Sequence, residues 1–118
     1  MLSSLRTGRR HERRAARLLK RHGLKIIALN VRAGRDEIDL IARDGDTAVV
    51  VEVRYRHGGL WSADASVTQA KGERVLRGWQ RLSRDLKLPR QTRVRFDLVL
   101  LDDHRATWLR DALGREAT

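Results

Sequence analysis

Two carboxylates interrupt runs of strand-forming apolar residues: Asp39 in Ile38-Asp39-Leu40-Ile41, and Glu52 in Val49-Val50-Val51-Glu52-Val53. Propensity disfavours an acid at either place, so each position tolerates a cost. Between the runs lies Asp44-Gly45-Asp46, a hairpin signal. A two-residue turn at Gly45-Asp46 pairs Asp44 with Thr47, sets Asp39 opposite Glu52 and sets Glu37 opposite Arg54. Alternation then places Glu37, Asp39, Glu52 and Arg54 on one face, and Ile38, Leu40, Ala42, Val49, Val51 and Val53 on the other. A three-residue turn would bring Ile38 opposite Glu52 and separate the acids. Opposed carboxylates with Cβ atoms roughly 5 Å apart repel unless something cationic joins them. A divalent ion suits such oxygen ligands; Arg54 as neutralising partner and a shared proton are the alternatives. A metal site and a structural ion cluster both satisfy the spacing.

A third acid belongs to the N-terminal segment. Thr7 to His22 reads as a helix ended by Gly23, with Gly8, Glu12, Ala15, Ala16 and Leu19 on one face. Glu12 therefore lies on the face that should be buried, where a carboxylate is costly unless it is paired or bound to a metal. Either a neighbouring arginine or a second acid sharing a cation would account for it. Every other charge on this helix is basic and points away.

The remaining elements must position these groups. Strands are expected at Leu24 to Arg32, Glu37 to Arg43, Thr47 to Arg54, Thr92 to Leu101 and Ala106 to Leu109. A second helix is expected from Gln69 to Leu86 with Thr68 as N-cap, and Pro89 separates it from the fourth strand. The order αβββαββ indicates a single α/β domain, a mixed sheet flanked by helices. Lys71 then falls in the first turn of the second helix, where the dipole disfavours a cation, so an anion is expected nearby. Asp97, between Phe96 and Leu98, is assigned to a structural hydrogen bond or ion pair. His11, His22, His57 and His104 show no metal-ligand spacing.

Charge and composition narrow the function classes. The net charge is +11, yet residues 1–35 hold eleven Lys or Arg against the single acid Glu12, and the rest of the chain nearly balances. A basic segment on a balanced body is the footprint of a protein that meets a polyanion, although a merely solvated Arg-rich helix reads the same. No cysteine is present, which excludes disulfides, thiolate zinc sites and a thiol nucleophile. No uncharged run exceeds seven residues and no apolar stretch follows Met1, so neither a transmembrane helix nor a secretory signal is expected. The expected compartment is the cytoplasm, with no membrane partner.

Gly8-x-x-x-Glu12-x-x-Ala15, Asn30-x-Arg32, Glu37-Ile38-Asp39-Leu40-Ile41, Val51-Glu52-Val53-Arg54-Tyr55-Arg56, Ser66-Val67-Thr68-x-x-Lys71 and Arg95-Phe96-Asp97 occur in order. Together they resemble the YraN-like family over about residues 7–113, nearly all of a single domain spanning 1–118. That family has the restriction-endonuclease-like PD-(D/E)XK fold and is similar to the Holliday-junction resolvases. The resemblance implies a restriction-endonuclease-like mixed sheet flanked by helices. It makes Asp39 and Glu52 metal-binding acids and Glu12 a helix-borne acid, and it puts Arg54 at the lysine position of the E-x-K element. It also sets Gln69 and Lys71 at the start of the following helix. Two departures stand out. Asp36 replaces the usual glycine before Glu37, and Arg54 replaces lysine. Arginine stays protonated and cannot serve as a general base, though it can orient water or stabilise phosphorane charge.

The leading expectation is a Mg²⁺- or Mn²⁺-dependent endonuclease-like protein acting on DNA, linear or branched. Asp39, Glu52 and the carbonyl of Val53 would hold the ion, with Glu12 and Arg54 completing the catalytic set. Glu12, Asp39, Glu52 and Arg54 converge if the first helix covers the polar hairpin face. Arg9, Arg10, Arg13, Arg14, Arg17, Arg56 and Lys71 would contact phosphates, with Glu37 and Gln69 as accessories. Tyr55 and Trp61, around Gly58-Gly59, would form a loop that stacks on unpaired bases, although simple packing is the favoured reading for Trp61. A catalytically inactive DNA-binding module on the same fold is the alternative. A third reading is a subunit docking on an acidic protein. Monomer and homodimer are equally compatible with the sequence.

Overall fold

The expected alternation of helix and strand is present in the computed structural model, which describes residues 2–57, 65–89 and 93–114. The elements are α1 (Leu2–Arg21), β1 (Lys25–Ala33), β2 (Asp36–Asp44), β3 (Thr47–Tyr55), α2 (Ala65–Arg77), α3 (Trp79–Asp85), β4 (Arg93–Leu101) and β5 (Ala106–Leu109). The strands form one sheet in the order β1-β2-β3-β4-β5. Only β3 and β4 run parallel, which requires the long helical crossover through α2 and α3. The other neighbours are antiparallel. No described helix is long and apolar enough to cross a membrane.

Alternation along β3 explains the layering. Val49 and Val51 face α1, packing with Leu40, Ala42 and the helix stripe Ala15, Ala16 and Leu19. Ala48 and Val50 face the other way, against Val75, Trp79, Leu82 and Phe96. Each fully buried aliphatic side chain contributes about 1.5–3 kcal/mol, so these two clusters hold both helical layers on the sheet. Gly72 lets α2 close onto Phe96: a Cβ there would lie 3.0 Å from Leu113 Cδ1 and 3.1 Å from Phe96 Cδ1. The β2–β3 turn is the two-residue one, with Gly45 supplying φ of +63° and Asp44 pairing with Thr47.

The second helical segment differs from expectation at both ends. It begins at Ala65, so Thr68 is not its N-cap and Lys71 lies in the second turn. It breaks at Gly78 into α2 and α3, ending at Asp85.

Asp97 has the structural role expected of it. Fully buried, it accepts hydrogen bonds from Arg95 Nε at 3.0 Å, Trp108 Nε1 at 2.9 Å and the Asp111 main-chain N–H at 2.9 Å. Arg95 also donates to Asp44 Oδ2 at 3.0 Å, so one network ties β4 to the hairpin turn and to β5. Burial would lower the pKa of Arg95, but Asp97 and Asp44 overcome this and raise it. Asp97→Ala leaves a buried guanidinium short of its partner and should cost about 3–5 kcal/mol, read by urea denaturation.

Candidate functional site

The site begins with a backbone irregularity. Leu29 pairs with Leu40 and Val31 with Ile38, so Asn30 stands across from Asp39. Asn30 has φ of +55°, a conformation asparagine tolerates better than other branched or bulky residues. The pleat reverses there: Leu40 belongs to the α1 core, whereas Ile38 and Val31 belong to the α2–α3 core. Ile38 is therefore not on the Leu40 face, as strict alternation would have it. The β2–β3 ladder has the expected register but ends at Leu40–Val51, one step short of an Asp39–Glu52 pair. Beyond it the main-chain N–H of Val53 donates instead to Asp39 Oδ2, at 2.8 Å. The side chain has replaced a strand partner, and the two strands part.

The parted end collects the acids. Asp39, Glu52 and Lys71 line one small recess with Ile38, Val50 and Phe96. Lys71 Nζ lies 3.0 Å from Glu52 Oε1, so the anion expected near this lysine is Glu52. Arg54 Nε lies 3.7 Å from Glu52 Oε2, and its Nη2 donates to the hydroxyl of buried Thr68. Both cations therefore reach Glu52 from the α2 side. The first helix does not cover this polar face, because its stripe of Ala15, Ala16 and Leu19 requires the apolar surface of Leu40, Ala42, Val49 and Val51. Glu12 approaches Asp39 from the α1 side, near Asn30, while Glu52 and Arg54 lie on the side of α2.

Burial, and then the Asp39 and Glu37 charges, push the Glu12 carboxyl up, against a hydrogen bond from the Asn30 side chain. Burial also pushes Asp39 up; the Val53 N–H and Lys71 oppose this, while Glu52 and Glu37 add to it. Among the described residues, Glu12 Oε2 and Glu52 Oε2 are buried with no hydrogen-bond donor. Unsatisfied buried oxygens beside a second carboxylate suit a hard cation. No three His, Asp or Glu side chains among the described residues come together as a ligand set. Of the expected ion ligands, Asp39 and Glu52 are the two carboxylates that line one recess.

The other expected site residues divide. Arg9, Arg10, Arg13 and Arg17 are exposed along α1. Arg14 instead donates to the carbonyls of Asp102 and Arg105, clamping α1 to the β4–β5 turn. Arg56 lies 3.7 Å from Asp102, and Tyr55 stacks on His11 at 4.0 Å while its hydroxyl donates to Asp103. Gln69 Nε2 donates to Glu73 Oε1 on its own helix, at 3.4 Å. Trp61 lies outside the described residues. Arg74 is a contact that reading along the chain misses. It binds the extra acid Asp36 bidentately, at 3.0 and 2.9 Å, and holds its carboxyl below the usual range. Its i+3 spacing from Lys71 is the signal that could have found it.

The raised carboxyl of Glu12 gives a signed pH dependence. Its folded-state pKa exceeds the unfolded value of 4.5, so its contribution favours folding below about pH 4.5 and is lost as pH rises through the folded value. Glu12→Gln should therefore raise Tm at pH 7 and leave it close to the wild-type value near pH 4, measured by calorimetry across that range.

Comparison with known proteins agrees with this chain-wide pattern. Residues 11–101 match the uncharacterised protein family UPF0102. A UPF0102 protein of Alkalilimnicola ehrlichii is 45% identical over 109 residues, covering 92% of this chain and 86% of its own. The UPF0102 protein YraN of Salmonella arizonae is 43% identical over 110 residues, covering 87% of this chain and 80% of its own. That of Salmonella newport is 44% identical over 107 residues with the same coverage. The chain belongs to the UPF0102 family.

Proposed function

We propose that this protein is a divalent-metal-dependent endonuclease acting on DNA. The observation that carries the proposal is the parted end of β2 and β3, where Asp39 and Glu52 share a recess with Lys71 and a Glu52 oxygen lacks a donor. Asp39, Glu52 and the Val53 carbonyl would hold Mg²⁺ or Mn²⁺, which when bound supplies an activated water and charge stabilisation at the phosphate.

The chain's own residues do the rest. The Val53 N–H holds Asp39 in one orientation. Lys71, an ammonium 3.0 Å from Glu52 Oε1, takes the place that Arg54 cannot fill: it can hold and exchange a proton, whereas a guanidinium keeps its own. Arg54, anchored on Thr68, steadies Glu52 and faces developing negative charge. Arg9, Arg10, Arg13 and Arg17 bind flanking phosphates, setting position without reading bases.

One observation favours the non-catalytic alternative: two cations already contact Glu52, which neutralises it without a metal. The test is nicking of linear and branched DNA in Mg²⁺ or Mn²⁺. Wild type should nick; Asp39→Ala and Glu52→Ala should fall to background with binding retained; Lys71→Met should lose about 10²–10⁴-fold. Equal nicking by wild type and the Asp39 and Glu52 variants would overturn the site. Binding without nicking by any protein would favour the alternative.

A further inference from the structure

Helix α2 carries Lys71 to Glu52, and one turn later it carries Arg74 into a separate cleft of about 520 Å³ between the β1–β2 turn and the α2–α3 break. Five arginines line this cleft, Arg32, Arg35, Arg74, Arg77 and Arg81, against two aspartates. Arg74 is committed to Asp36, and that bidentate pair ties α2 to the first residue of β2 and fixes one wall. The second acid, Asp85, is exposed and lies at the end of α3. Arg32, Arg35, Arg77 and Arg81 are all exposed, and none is in an ion pair among the described residues. Three different elements thus present guanidinium groups to one concavity whose floor includes Val75 and Leu82. Like charges gathered there repel, and low-dielectric walls focus their field on any anion that enters. The planar guanidinium fork suits phosphate bidentately.

We infer that this cleft binds the phosphodiester backbone of a single nucleic-acid strand passing the Asp39–Glu52 recess. Its volume is that of a small-ligand site, sufficient for a phosphodiester segment of one strand. It lies near the acids: Val75 lines both the cleft and the recess, Asp36 is three residues before Asp39, and Arg77 is six residues after Lys71, about 9 Å along a helix. The exposed arginines of α1 lie on the opposite layer of the sheet, so the acids sit between two basic surfaces. Such an arrangement suits a substrate whose strands separate at the site. The inference rests on the nucleic-acid reading above, but its test needs neither metal nor cleavage.

The test measures fluorescence anisotropy of single-stranded and duplex oligonucleotides in chelator, from low to high salt. The proteins are wild type, Arg77→Gln/Arg81→Gln, Arg32→Gln/Arg35→Gln and, for comparison, Arg9→Gln/Arg13→Gln. Each cleft pair should weaken single-strand binding roughly tenfold at low salt and lower the slope of log affinity against log salt by about 1.4. Duplex affinity should change less in the cleft variants than in the α1 variant. Because the two cleft pairs lie on different elements, a folding defect in one leaves the other informative. Unchanged single-strand affinity and slope in both cleft pairs, with loss in the α1 variant, would overturn the cleft and leave the nucleic-acid reading standing. Absence of any binding by wild type at low salt would overturn both. Displacement of the strand by equimolar ATP, with the same dependence on the cleft arginines, would make the occupant a free nucleotide and overturn the strand assignment.

Discussion

The hydrogen bond from the Val53 N–H to Asp39 Oδ2 decides where the hairpin ends as a sheet and begins as a site. A buried main-chain donor needs an acceptor, and in an unbroken ladder the acceptor would be a β2 carbonyl. Asp39 supplies it from its side chain, while Asn30, across the other ladder, takes positive φ and reverses the pleat. The ladder stops at Leu40–Val51. From this follow the placement of Ile38 in the α2–α3 core, the space beside Glu52 that Lys71 enters, and the approach of Glu12 from the other layer.

That arrangement is costly even with Lys71 and Arg54 beside Glu52. Glu12 and Asp39 are both held toward their protonated forms by burial and by neighbouring carboxylates, and Glu12 and Glu52 each keep a buried oxygen without a donor. Asp97, by comparison, receives three donors, and Asp36 receives both arms of Arg74. The gathering of three acids, two of them pushed toward protonation, is the physical reason for reading this place as functional. Local rules are broken most often where function requires it.

Much of this is legible in the residues. The hairpin register follows from Asp44-Gly45-Asp46 and the flanking alternation, and the burial of Glu12 from its spacing to Ala15, Ala16 and Leu19. The structural role of Asp97 follows from an acid set among apolar strand residues. The parting of the strands is not legible, because it depends on the sign of one φ angle and on a side chain replacing a strand. Nor does α1 cover the polar hairpin face, as convergence of the four site residues would require. Burial of its apolar stripe against the sheet outweighs any attraction between Glu12 and a shared cation. The pairs Lys71–Glu52 and Arg74–Asp36 join residues 19 and 38 apart, and no local pattern encodes such distances.

The measurement that bears most directly on the central claim is anomalous scattering from crystals grown with Mn²⁺. The expected result is one strong peak in ligand contact with Asp39 and Glu52, absent from the Asp39→Asn/Glu52→Gln protein. Saturating Mn²⁺ with no peak in that recess, and Lys71 still on Glu52, would contradict the account.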